Sequence, residues 1–439
     1  MMTRRVLFGL LIFLGLCMPA LAQKLEFDVV GGRESALPIA IVPMPYQGTG
    51  TPPDTDVAAV VRADLERSGA FRTLPESQMP QRPVRGSEID FPAWRALRQD
   101  YIVVGKVVDG GDGGYRVEYE LHDVAKQQRL LAYAVSARGG AMRDAAHQMA
   151  DAIYEKILGV RGAFWTRIAY VTASGLGRNT KYALVVSDAD GFNPQVIVNS
   201  SEPMLSPAWS PDGRKLAYVS FESGNSAVYI QDITTGARER VSGFRGINSA
   251  PAFSPDGRKL ALSLSRSGNP EIYVMDIASR QLTQLTQQSG IDTEPVWSAD
   301  GSTIYFVSDR AGRPQIYQMA ASGGAATRVT FEGNYNTSPT LSADDSKMAV
   351  VQGGGNSFRI ALLDRSLRSP RWSNLSPGNL DESPSFAPNG SMLLYAAREG
   401  GRGVLYAVSA DGRVRQRLSL GGVDVREPAW SPFRTQRQN

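Results

Sequence analysis

Beyond residue 167 the chain alternates apolar and polar residues in short runs punctuated by turn residues. Lys215-Leu-Ala-Tyr-Val219, Lys259-Leu-Ala-Leu-Ser263 and Thr303-Ile-Tyr-Phe-Val307 are three such runs, and each follows the same punctuation. It reads Pro207-Ala-Trp-Ser-Pro-Asp-Gly213, then Pro251-Ala-Phe-Ser-Pro-Asp-Gly257, then Pro295-Val-Trp-Ser-Ala-Asp-Gly301. Weaker copies begin at Pro339, Pro384 and Pro428, and the six starts lie 44, 44, 44, 45 and 44 residues apart. Each unit continues with a glycine-containing loop, an aromatic-centred run such as Val228-Tyr-Ile230, and a short polar run such as Arg240-Val241. Alternation of period two excludes helical repeats of this length. Four strands of about five or six residues with their turns fill such a unit, and that is the blade of a β-propeller.

The count of copies sets the number of blades. Six copies enclose five complete units, and the copy at Pro428 lacks strands after it. Arg167–Val171, Tyr182–Val186 and Gln195–Val198 precede the first copy and match the second, third and fourth strands. The expected domain is therefore a six-bladed propeller over residues 163–433, its closing blade shared by both ends, with a tail at 434–439. Closure pairs strand edges that would otherwise invite aggregation. The Ser-Pro-Asp-Gly stretch reads as a turn, because Pro presets φ, Asp accepts local backbone hydrogen bonds and Gly takes positive φ. A ring of aspartates acting as a catalytic or calcium site fits less well, since the pattern varies at Asp345, Asn389 and Phe433.

The first half has a different rhythm. Lys24–Val30 alternates, with Leu25, Phe27 and Val29 on one face and Lys24, Glu26 and Asp28 on the other, which suits a half-buried or pairing strand. Pro38–Pro43 reads as a second strand. Val57, Val60, Val61 and Leu65 fall at helical spacing after Thr55 or Asp56 as cap, through Arg67, with Gly69 as stop. Ile102–Val108 and Tyr115–His122 flank Gly110–Gly114 as a hairpin, Lys126–Ser136 adds a strand, and Arg143–Leu158 is a helix with Ala146, Met149, Ala150, Ile153 and Ile157 on one stripe. Residues 31–160 thus form an α/β domain, and Gly159–Gly162 a linker.

Residues 1–22 are a leader. Arg4 and Arg5 precede a 13-residue run of apolar residues and glycine, Val6–Met18, and Ala20-Leu21-Ala22 is a small-residue cleavage site. The run is shorter than the ~20 residues that span a bilayer, so cleavage is expected after Ala22, leaving a soluble protein outside the cytoplasm. Cys17, the one cysteine, goes with the leader, and Leu16 before it is too large for lipoprotein processing. The charge balance, Lys+Arg 47 against Asp+Glu 43, is spread without a block of five like charges, so a nucleic-acid arm is excluded.

Chemistry is sparse. There is no G-x-S-x-G, no phosphate loop and no H-E-x-x-H. His147 falls within the last helix near its polar edge, and His122 ends a strand; neither has a partner pattern, so both read as structural. Nothing asks for a cofactor or a metal. The segments leading into strand one are Ile247–Ala250, Asp292–Glu294, Asn336–Ser338, Asp381–Ser383 and Val425–Glu427. They read as loops converging on one mouth of the channel, opposite the Asp-Gly turns, where small and polar groups suit a docking cup.

The chain resembles the TolB family, periplasmic components of the Tol-Pal system of Gram-negative bacteria. The resemblance rests on the leader, the α/β domain, Gly162-Ala-Phe-Trp-Thr-Arg-Ile-Ala-Tyr170, Leu205-Ser-Pro-Ala-Trp-Ser-Pro-Asp-Gly213, Lys215-Leu-Ala-Tyr-Val219, Gly312-Arg-Pro-Gln315 and Pro428-Ala-Trp-Ser-Pro432, in that order. It implies a monomeric, non-enzymatic periplasmic adaptor that supports outer-membrane integrity and constriction at division. It implies that the propeller mouth binds the lipoprotein Pal, through Asn248, Ala250, Thr293 and Glu294, with Asp381 and Glu382 in a similar loop. It implies that TolA is bound by the mature N-terminus, Gln23, Lys24, Leu25, Glu26, Phe27, Asp28, Val29 and Val30, and that Pal binding withdraws this epitope. Family members often carry His where Ile247 stands. The alternatives are a secreted propeller hydrolase, for which no nucleophile elbow is present, and an outer-membrane assembly scaffold, for which no lipid-attachment cysteine is present.

Overall fold

A computed structural model describes residues 36–435 apart from 176, 355–356, 379 and 419–422. The leader, its cleavage site at Ala22 and the Gln23–Val30 strand lie outside the described residues, as do residues 436–439.

The N-terminal domain is one mixed sheet with helices on both faces. Its strands are β1 (Leu37–Ile41), β2 (Phe71–Thr73), β3 (Tyr101–Asp109), β4 (Tyr115–Asp123) and β5 (Gln128–Ala137), in the order β2-β1-β3-β4-β5. β1 runs parallel to β2 and β3, and β3, β4 and β5 form an antiparallel meander. α1 (Val57–Arg67) and α3 (Met142–Leu158) cover one face with Val61, Leu65, Met149 and Ile153; α2 (Phe91–Ala96) covers the other with Trp94. Asp56 caps α1, its carboxylate accepting from the Ala59 amide at 2.9 Å. The strand expected from Lys126 starts at Gln128, because Gln127 turns the chain at φ 52°. His147 is not near a polar edge: it is fully buried on α3 against the propeller, and its partner Asp64 stands on α1.

Six four-stranded antiparallel sheets form the propeller. The sixth pairs Asp424–Trp430 with Arg167–Ser174, matching Ile168 to Trp430 and Asp424 to Ala173, followed by Lys181–Asp188 and Gln195–Ser200. The strands nearest the channel are Met204–Trp209, Asn248–Phe253, Asp292–Trp297, Asn336–Leu341, Glu382–Phe386 and Asp424–Trp430. Blades adhere through apolar faces, for example Tyr218 and Leu216 against Ala169 and Val171, both sets buried. Three tryptophans add directional bonds: the indole N–H groups of Trp209 and Trp297 donate to the carbonyls of Ala429 and Ala252 in the preceding blade, each at 3.0 Å, and that of Trp430 donates to Thr166 Oγ1 at 2.8 Å.

The repeated motif is turn chemistry. Ser210 Oγ donates to Asp212, which accepts from the Arg214 amide at 3.0 Å, and the same pair recurs as Ser254–Asp256, Ser298–Asp300 and Ser342–Asp344. Gly213 follows at φ 65°, and Pro432 of the neighbouring blade packs 3.5 Å from where its Cβ would be, so the glycine serves both the turn and the seam between blades. Asp345 takes this position in the fourth copy at φ 57°.

The α/β domain sits on the face carrying these Asp-Gly turns, across blades five and six. Asn389 Nδ2 donates to the Arg161 carbonyl at 2.9 Å, and Arg434 forms a two-pronged ion pair with Asp144, both arms 2.8 Å. Among the described residues, none of these contacts reaches the opposite mouth.

Candidate functional site at the open mouth

The segments expected to be loops at the mouth are the first residues of the channel-lining strands. Each strand is broken there by one residue in the left-handed region: Ser206, Ala250, Glu294, Ser338, Ser383 and Glu427, with φ between 49° and 54°. They recur on the repeat period. The ladders slip at the same places, for example between Ser249 and Ala252 and between Thr293 and Val296. Non-glycine residues adopt this conformation at a cost of roughly 1–2 kcal/mol, so six in register mark a built feature, a β-bulge that bends each strand at the channel wall.

Two of the bulge residues are carboxylates that bond to the next blade. Glu294 Oε2 accepts from the Ser338 amide at 2.6 Å, and Glu427 Oε2 from the Ser206 amide at 3.0 Å. Burial pushes the Glu427 carboxyl up to about 7, and the nearby Glu382 and Glu294 push the same way. Burial also raises Glu294 above the ordinary carboxyl range. Two residues before the bulge stands a buried polar side chain that ties down a neighbouring loop. Asn248 accepts from Ser242 Oγ and the Phe244 amide at 2.6 and 2.9 Å, and donates to the Phe244 carbonyl at 2.7 Å. Asp292 accepts from Arg310 at 2.8 Å, and Asp381 accepts from the Gly378 amide at 3.1 Å.

Of the residues marked in the sequence, Ala250, Thr293 and Glu294 therefore line the channel wall half-buried, and Glu382 is exposed at the rim. Asn248 and Asp381 turn their side chains into the blade, where they are 0% and 1% exposed.

Sequence reading missed the apolar rim. Ile247, Ile291 and Leu380 each stand three residues before a bulge, Val423 stands four before, and Phe331 lies on the connection into the fourth blade. Their exposures are 45, 48, 42, 39 and 73%. A lone exposed isoleucine means little. Several brought by the repeat to one mouth make a patch of the kind that marks protein contact.

Fold and mouth together define a two-domain propeller protein with a crowned, open channel end. Residues 25–130 match the TolB amino-terminal domain and residues 154–434 the TolB beta propeller domain. The Tol-Pal system protein TolB of Xanthomonas campestris pv. campestris (strain B100) is 70% identical over 413 residues, 94% of each chain. That of Xanthomonas euvesicatoria pv. vesicatoria (strain 85-10) is 71% identical over 418 residues, 95% of each. The crystal structure of TolB from Acinetobacter baumannii superposes with a TM-score of 0.85 at 41% identity, covering 93% of this chain and all of that one. The chain belongs to the TolB family of the Tol-Pal system.

Proposed function

We propose that the chain is a non-enzymatic periplasmic adaptor of the Tol-Pal system that takes the lipoprotein Pal at the open mouth and TolA at Gln23–Val30, supporting outer-membrane integrity and invagination at division. The observation that carries the Pal half is the apolar rim around polar channel walls, on the face the α/β domain leaves free. Exposed apolar side chains gathered at one end of the channel beside polar groups are the kind of patch that marks protein contact. Thr293 and Ala250 supply polar and small surface inside that rim, and Glu382 stands on it. The TolA half rests on the alternation of Lys24–Val30, which suits recognition by strand addition.

The Asp64–His147 pair does not favour hydrolysis. Asp64 and His147 Nδ1, 2.6 Å apart, have the spacing of an orienter and a base. Yet His147 Nε2 meets no hydroxyl and faces Asp190 at 3.8 Å, and its side chain is 1% exposed, so no substrate reaches it.

The decisive experiment is calorimetry of purified Pal with Ile291→Asp and Leu380→Asp. Each is expected to weaken binding by about tenfold or more, since a buried apolar anchor is worth above ~1 kcal/mol, with the thermal melt unchanged. Wild-type affinity in both variants would remove the mouth from consideration. Glu294 is a poorer target, because its carboxylate also joins two blades. Deleting residues 23–30 is expected to abolish capture of TolA while sparing Pal; a retained TolA signal in a pull-down contradicts that half.

A further inference from the structure

The seam between the domains carries a buried charge cluster that docking at the mouth does not use. From α1 come Asp64 and Arg67; from α3 come Arg143 and His147. The propeller contributes Asp190, on the turn between the Lys181–Asp188 and Gln195–Ser200 strands. Within the α/β domain, Asp64 bonds Arg67 at 2.7 Å and His147 Nδ1 at 2.6 Å. Across the seam, Asp190 bonds Arg143 and stands 3.8 Å from both Arg67 Nη1 and His147 Nε2. Both Asp64 and His147 side chains are 1% exposed, and Asp190 is 6% exposed. One propeller carboxylate thus answers three basic side chains of the other domain.

Asp64, His147 and Asp190 offer one donor atom each within 4.8 Å of one another, which is the size of a metal site. Both carboxylates are already engaged by guanidinium groups, so a divalent ion would be placed against Arg67 and Arg143. The chemistry is that of an ion-pair clasp.

Two voids adjoin the cluster. A cavity of about 40 Å³, room for a single water, lies beside the cluster between Phe164, Tyr154, Met392 and Trp430. A cleft of about 1230 Å³ opens beyond it, between β5 and the Asp212–Arg214 turn. Each domain keeps a core of its own away from this seam.

We propose that Asp190 is a single-carboxylate clasp holding the α/β domain on blade six, and that opening it lets the domain swing about the 159–162 linker while both domains stay folded. Removing one partner of a buried ion pair leaves the others uncompensated, which is far costlier than losing a surface pair. The clasp is also proton-sensitive. Burial alone would lower the His147 imidazole, but Asp64 and Asp190 outweigh it and hold it above its ordinary value. Burial would raise Asp190, but Arg67, His147 and Arg143 hold it low. The other charged groups facing the cluster are Asp144 and Asp151 on α3, Asp188 on blade six, Arg161 on the linker and Arg434 after the last propeller strand. Asp151, pushed up to about 7 by burial, accepts from the Phe164 and Trp165 amides. The His147 contribution is complete below its unfolded value of about 6.5 and is lost as pH rises through the higher folded value. The Asp190 contribution is present above about 3.9 and is lost as pH falls through its lowered value.

The test uses the full chain. Asp190→Asn is expected to speed tryptic cleavage after Arg161 about tenfold and to enlarge the radius of gyration in small-angle scattering, with the propeller melt unchanged. His147→Gln, which keeps a polar contact to Asp64 but no titratable cation, is expected to do the same more weakly. It should also abolish an expansion that the wild type shows as pH rises above about 6.5. Glu399→Gln, which breaks a surface pair with Arg417 within blade five and away from the seam, serves as control and is expected to change cleavage less than twofold. Wild-type cleavage and scattering in both clasp variants would overturn the proposal. So would global unfolding of both, which would make the cluster part of a common core.

Discussion

Glu427 is an acid held where ionisation is costly, in a channel wall with two other carboxyls nearby. Its folded value of about 7 lies above the ordinary 4.5, so the folded chain binds a proton the unfolded chain has already released. The stability this confers is complete below pH 4.5 and is lost as pH rises to about 7. Asp151 acts in the same direction. Glu427→Gln keeps an acceptor for the Ser206 amide and removes the titration. The expected outcome is a flatter stability profile, the wild type losing at most on the order of 3 kcal/mol from this group between about pH 4.5 and 7. Urea denaturation at the two ends of that range checks it, and parallel profiles would show that Glu427 titrates normally. None of this was legible in the sequence, where Glu427 is one acid among many. Nor was the Asp64–His147 pair, whose members lie 83 residues apart on different helices.

Elements were legible where a pattern had length. The inner and second strands of each blade announced themselves because alternation recurs on a fixed period. α1 and α3 followed from four and five apolar positions at helical spacing. β2 has three residues and α2 has six, too few for either period to show, and both are held by packing rather than by propensity. The bulges were hidden for another reason: serine, alanine and glutamate carry no sign of a left-handed backbone, and only the closed ring imposes it. The rim was hidden because Ile247, Ile291 and Leu380 look like isolated loop residues until the repeat stacks them. A cap belongs to this scale as well. Asp56→Ala removes the bond to the Ala59 amide and is expected to cost about 1 kcal/mol, read as an earlier loss of helical signal from the α/β domain with the propeller transition unmoved. Unchanged unfolding of α1 would mean the domain's packing carries that helix without its cap.

For the whole molecule, closure matters most. Six blades and the shared blade followed from counting copies of one motif, and the α/β domain ahead of them from the apolar spacing of its strands and helices, whereas the way the domain is mounted did not, because it depends on single side chains such as Asp190, Asn389 and Arg434. A chain stopped before Asp424 lacks the innermost strand of the sixth blade, leaving Arg167–Ser174 without its partner along the channel. We expect it to lose the cooperative melt rather than shift it by a few degrees; a sharp transition near the wild-type midpoint would show that five blades and three strands suffice. The same pairing has a consequence in time. Ile168 waits for Trp430, more than 250 residues downstream, and contacts so distant in sequence form late. Because the chain is made and delivered in order, an interrupted copy is left as an open ring with an unsatisfied edge, ready for a protease. The fold therefore certifies its own message: only a copy read through to the strand at 424–430 can become the native shape.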